Sequence, residues 1–142
     1  MHQISRSAYV PYTAEQMYDL ITDIRKYPEF LPWCTDVVVH KADTEEQDAT
    51  LKVQKGFFRH ALRTRNQLKP NESVVIHLVD GPFKQFEARW TITTDADGVR
   101  ISYVMNFEVS NPMMAALAAP FFDQIAGEMV EVFNKRAKHL YG

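Results

Sequence analysis

Apolar positions in the last third of the chain recur at helical spacing. Met114, Leu117, Ala118, Phe121, Phe122, Ile125, Met129, Val132, Phe133 and Leu140 make one broad stripe, and Asn111 followed by Pro112 supplies the start of a helix that runs to about Tyr141. Upstream the period falls to two. Val99, Ile101, Tyr103, Met105, Phe107 and Val109 alternate with Arg100, Ser102, Asn106 and Glu108, the pattern of a half-buried strand. Residues 4–10, 37–39, 49–53, 57–68, 73–79 and 85–94 give further β-patterned segments. The connections expected between them are an acidic loop, Asp43-Thr44-Glu45-Glu46-Gln47-Asp48, and turns at Lys69-Pro70-Asn71-Glu72, Asp80-Gly81-Pro82 and Asp95-Ala96-Asp97-Gly98. After the first strand, Thr13 and Gln16 have capping-box spacing ahead of Met17, Leu20 and Ile21, and Pro28 and Pro32 bracket a second short helical turn.

The order is therefore strand, two short helices, six strands, long helix. It lacks βαβ crossovers and a dinucleotide glycine fingerprint. This predicts an α+β helix-grip fold: a curved antiparallel sheet of about seven strands wrapped around the C-terminal helix, in a single domain spanning residues 1–142. A helix laid over a concave sheet leaves a void, expected at about 300–1,000 Å³, of the kind in which apolar ligands sit.

Composition narrows the partners. Of the 142 residues 46% are hydrophobic and 24% charged, and a net charge of −2 gives no global attraction to nucleic acid. A single cysteine, Cys34, excludes an internal disulfide and a zinc-site spacing, which suits the cytosol. The first residues lack the basic and apolar regions of a signal peptide. The longest apolar run, residues 113–122, is about half of the roughly 20 residues a membrane span needs and contains Pro120. No transmembrane segment is expected, although peripheral contact with a membrane edge suits that run. Pro120 should kink the helix, either as a lid hinge or as a static bend.

Phe86 and Trp90 share one strand face, as do Tyr103, Met105 and Phe107 on the next strand. Both faces are expected to line the void beneath Phe121, Ile125 and Met129. Core packing explains any one of these residues; together with Met113 and Met114 they give a soft lining suited to a flexible prenyl chain. Trp90 is expected to look toward the helix and to report a ligand, with Trp33 responding less. His60 and His77, with Asn66 and Tyr103 nearby, form a candidate polar pocket, and the two histidines a candidate acid-base pair for ring closure; hydrogen-bonded core histidines are the alternative. Arg59, Arg63 and Arg65 fall on one side of a strand, within a segment that also carries Lys52, Lys55 and Lys69 and no acidic residue. That face suits RNA phosphate or anionic lipid, or simply solvent. Glu29 is expected to cap a helix or pair with an arginine, and Cys34 to be a small buried residue.

Three motifs carry a family resemblance: Tyr27-Pro28-Glu29-Phe30-Leu31-Pro32-Trp33-Cys34, Gly81-Pro82-Phe83-Lys84 with Trp90 downstream, and Phe121-Phe122 in the long helix. With the element order, they resemble the START-like polyketide cyclase/dehydrase superfamily, in the branch of the coenzyme-Q-binding proteins and their bacterial relatives, which include the ribosome-association toxin. The resemblance implies an apolar cavity holding an isoprenoid quinone such as ubiquinone, in support of respiration, with no required cofactor and no catalysis. For the toxin relative it implies association with the large ribosomal subunit that blocks subunit joining. A polyketide cyclase is the third possibility. The absence of a transit peptide favours a cytoplasmic bacterial member.

Overall fold

The structure, a computed structural model, describes residues 2–142. Strand β1 (His2–Val10) is followed by helix α1 (Ala14–Thr22) and a 3-10 helix (Ile24–Glu29). Six strands then form an antiparallel meander: β2 (Cys34–Ala42), β3 (Glu46–Lys55), β4 (Phe58–Lys69), β5 (Ser73–Asp80), β6 (Phe83–Asp95) and β7 (Gly98–Val109). Helix α2 (Pro112–Tyr141) completes the chain. The seven strands make one sheet in the order β1-β7-β6-β5-β4-β3-β2.

Local chemistry sets the boundaries. The Thr13 hydroxyl accepts from the Gln16 amide at 3.0 Å and the Gln16 side chain accepts from the Thr13 amide at 3.0 Å, so both ends of the expected capping box are made. Asn111 Oδ1 caps α2 by accepting from the amides of Met113 and Met114. Gly56, with φ +60°, allows a tight turn in which Lys55 and Phe58 pair directly, and it leaves Phe57 fully exposed at the hairpin tip.

One boundary differs from expectation. Glu46, Gln47 and Asp48 belong to β3 rather than to the acidic loop. Glu46 and Asp48 face outward, where the arginines of β4 neutralise them, so charge does not end the strand there.

Helix α2 packs against β7, β1 and α1. Its buried face is Ala118, Phe121, Phe122, Ile125, Met129 and Phe133, with Ala119, Ala126, Val130 and Ala137 beside them. Phe133 is the hub, with its ring 4.9 Å from Trp90, 5.2 Å from Phe30 and 5.6 Å from Tyr27. The helix continues through Pro120. Two members of the expected stripe, Leu117 and Leu140, are exposed.

Candidate ligand cavity

The inner face of the sheet is built from cross-strand rows. One row runs Gln47, Asn66, Ile76, Ala88 and Met105; beside it Leu51 opposes Leu62, and Ala49 opposes Thr64. Between these rows and α2 lies a cavity of about 80 Å³ lined by Trp33, Leu51, Leu62, Thr64, Asn66, Ile76, Phe86, Tyr103, Met105, Phe122, Ile125 and Met129. Trp33 and Ile125 also line an outer cleft of about 220 Å³ with Pro32, Gln54, Lys55, Phe121, Gln124 and Glu128. Lys55 in turn borders a rim cleft of about 420 Å³ between the Phe57 hairpin tip and the start of α2, with Phe58, Arg59, His60, Met113, Met114 and Leu117 around it. The inner cavity and the outer cleft thus share Trp33 and Ile125, and the outer and rim clefts share Lys55. The inner cavity, at about 80 Å³, is well below the expected size.

Six of the sequence candidates, Phe86, Tyr103, Met105, Ile125, Met129 and Asn66, meet at the inner cavity. Phe107 is wholly buried beside Phe83 and Phe122, and Phe121 faces the outer cleft. Trp90 is only 1% exposed and packs against Tyr103 and Phe133, so it is core, whereas Trp33 lines the two inner openings. Trp90 does look toward α2, against Phe133, but it is Trp33 that lines the cavity. Leu62, Thr64 and Phe122 were findable, the first two in phase with His60 and Asn66 and the last within a quoted motif. Trp33 sits in a turn, where periodicity gives no facing signal.

The polar end of the cavity is a short relay. Thr22, the last residue of α1, has a carbonyl without an intrahelical partner, and Gln47 Nε2 donates to it at 2.7 Å. Asn66 Nδ2 donates to Gln47 Oε1 at 3.2 Å. Asn66 is 5% exposed and its Oδ1 has no partner among the described residues.

The two histidines do not form a pair. His60 faces the rim cleft, its ring tilted against Phe58 with centres 4.7 Å apart. His77 lies opposite Arg65 on one side and Glu87 on the other, which puts it on the outer face of the sheet. The acid-base reading of His60 with His77 is thereby overturned. Cys34 is buried, and burial pushes its thiol up to about 11, so it is a protonated core group at neutral pH. Among the described residues no group of three or more His, Cys, Asp or Glu side chains is arranged to hold a metal ion.

Arg59, Arg63 and Arg65 do share the exposed face of β4. Two of them are engaged: Arg63 grips Asp48 through two 2.9 Å bonds, and Arg65 bonds Glu46 at 2.9 Å and reaches Asp48 at 3.8 Å. Only Arg59 of the three makes no ion pair among the described residues. Glu29 pairs with Arg136, whose guanidinium lies 5.0 Å from the Phe30 ring centre.

The Arg63 guanidinium holds the Asp48 carboxyl below the usual carboxylate range, Arg65 adding to it. A carboxyl lowered on folding contributes stability above its unfolded value, and that contribution is lost as pH falls through the folded value. Asp48→Asn should therefore lower the melting temperature at pH 7, and the gap from the parent should narrow below about pH 4. Paired thermal melts across pH 2.5–7 check this; a gap that widens on acidification would contradict it.

A seven-stranded antiparallel sheet gripping one long helix over an apolar void is a helix-grip fold. The chain belongs to the family described as polyketide cyclase / dehydrase and lipid transport, which matches residues 10–134. Over 142 residues it is 39% identical to the ribosome association toxin RatA of Escherichia coli (strain K12), covering 99% of this chain and 90% of that one. It is 29% identical over 147 residues to coenzyme Q-binding protein COQ10 homolog B, mitochondrial, of Xenopus laevis, covering 99% of this chain and 59% of the relative. The crystal structure of the Zhui aromatase/cyclase from Streptomyces sp. R1128 superposes with a TM-score of 0.78 at 13% identity, over 96% of this chain and 93% of that one, a likeness of fold. No helix among the described residues is long and apolar enough to cross a membrane.

Proposed function

We propose that the chain is a non-enzymatic carrier of an apolar isoprenoid lipid with a polar ring head, of the ubiquinone class. The observation that carries this is the inner cavity itself: aromatic and methionine walls with Asn66, whose Oδ1 is unpaired among the described residues, in the lining, and a shared wall, Trp33 and Ile125, between it and the outer cleft. A cavity of about 150 Å³ is what holds a benzene ring in a protein core. The void of about 80 Å³ is smaller, so a ring enters by moving the Trp33–Ile125 wall and joining the inner and outer spaces. The prenyl tail then follows toward the rim. Phe57, Met113 and Leu117 are exposed there beside Lys55 and Arg59, the composition of an edge that meets an anionic bilayer. Similarity to the coenzyme Q-binding relative supports the same ligand class.

Titration with ubiquinone bearing one isoprene unit tests the carrier. Trp33 emission should be quenched saturably, Trp33→Phe should remove most of the quench while keeping affinity within a few-fold, and Trp90→Phe should keep it. Quench that survives in Trp33→Phe and disappears in Trp90→Phe would relocate the ligand; no saturable binding would remove the carrier.

A second reading, association with the large ribosomal subunit, is favoured by whole-chain similarity to the ribosome association toxin. Replacing Arg59, Arg63 and Arg65 with glutamate should then abolish co-sedimentation with that subunit. Because Arg63 and Arg65 are already paired with carboxylates, Arg59→Glu alone should give most of the loss. A parent protein that does not co-sediment removes this reading.

A further inference from the structure

We propose that Asn66 makes the cavity selective for oxidation state: it takes a ring bearing a hydroxyl donor, the hydroquinone form, in preference to the quinone. The proposal rests on the carrier reading and adds which form of the ligand is carried.

A side-chain amide can turn over and exchange its donor and acceptor ends, and here the neighbours decide which way it points. The Thr22 carbonyl only accepts, so the amide that meets it at 2.7 Å must present Gln47 Nε2. Gln47 Oε1 is then committed as an acceptor, and Asn66 must answer it with Nδ2 at 3.2 Å. What remains is Asn66 Oδ1, a buried acceptor whose residue lines the cavity. Turning Asn66 alone would set two amide oxygens against each other. Turning both amides would set Gln47 Oε1 against the Thr22 carbonyl. The helix terminus thus fixes the polarity of a group two side chains away.

A ligand hydroxyl satisfies Oδ1, whereas a quinone carbonyl is a second acceptor and leaves it unpaired in an apolar wall. The other polar groups at the cavity do not reverse this preference: the Trp33 indole N–H only donates, and a hydroquinone hydroxyl oxygen accepts from it as a quinone carbonyl does. The hydroxyls of Thr64 and Tyr103 both donate and accept, so they serve either form by rotation. Burial raises the Tyr103 phenol, which stays protonated at neutral pH. The protein performs no electron transfer in this scheme; it distinguishes two forms by binding alone.

The test is anaerobic calorimetry with ubiquinone bearing one isoprene unit and with the same compound reduced to the hydroquinone. The parent should bind the hydroquinone about tenfold or more tightly, a difference of about 1.4 kcal/mol per factor of ten. Asn66→Leu should bring the two affinities within about threefold of each other. Gln47→Met should do the same with Asn66 in place, because its amide is then released to offer Nδ2. Equal affinities in the parent, or tighter quinone binding, would overturn the selectivity and leave the carrier standing. Full preference retained in a folded Gln47→Met would overturn the relay as its source. Binding of neither form by the parent would remove the carrier and the selectivity with it. Circular dichroism melts establish that each variant is folded, and the comparison within the parent decides the preference without them.

Discussion

Phe133→Ala should cost the fold about 3–5 kcal/mol, the range for emptying a large aromatic site in a packed core. Phe133 is wholly buried and joins three layers: Trp90 on the sheet, Tyr27 in the 3-10 helix and Phe30 at its end. Removing the ring separates α2 from both the sheet and the Tyr27-to-Cys34 motif, and neighbours anchored on three elements cannot all collapse into the gap. Against a total stability of about 5–15 kcal/mol this is a large share. Urea unfolding followed by circular dichroism should give a much lower midpoint at an unchanged slope. A loss below about 1 kcal/mol would mean that Phe133 is not the hub the packing indicates.

Ile125→Trp is the complementary change, with a large expected effect on binding and a modest one on folding. Ile125 belongs to the wall between the inner cavity and the outer cleft, so an indole there occupies space on both sides. Affinity for a one-isoprene ubiquinone or its hydroquinone should fall about 100-fold or more, equivalent to about 2.7 kcal/mol. Overpacking should cost stability about 1–3 kcal/mol, leaving the protein folded at room temperature. Parental affinity in a folded Ile125→Trp protein would mean that the ligand does not pass this wall.

The periodic elements were legible because one physical rule governed each. Thr13 with Gln16 marked the start of α1, Asn111 with Pro112 the start of α2, and the alternation through Tyr103, Met105 and Phe107 marked β7. Relations between elements were less legible. Alternation within β4 and within β5 tells which residues share a face of each strand, but not which residue opposes which across the pair. The Lys69-to-Ser73 connection sets that register and puts His77 opposite the outward-facing Arg65, while His60 is in phase with the inward-facing Leu62, Thr64 and Asn66. The acidic residues Glu46 and Asp48 looked like loop because their partners, Arg65 and Arg63, come from the next strand. The size of the cavity depended on how side chains from the sheet, the turn at Trp33 and α2 fill the space between layers, which no periodic pattern records. The polarity of Asn66 was equally hidden, since it depends on Gln47 and on the end of α1, brought together only by the fold.

The central claim, that an apolar ring-headed lipid occupies the space between sheet and helix, is tested most directly by mass spectrometry of lipid extracted from the purified protein. The parent should carry an isoprenoid quinone or hydroquinone at a substantial fraction of one molecule per chain, and Ile125→Trp purified in parallel should carry almost none. Parent protein holding no more of either form than the blocked variant would contradict the account.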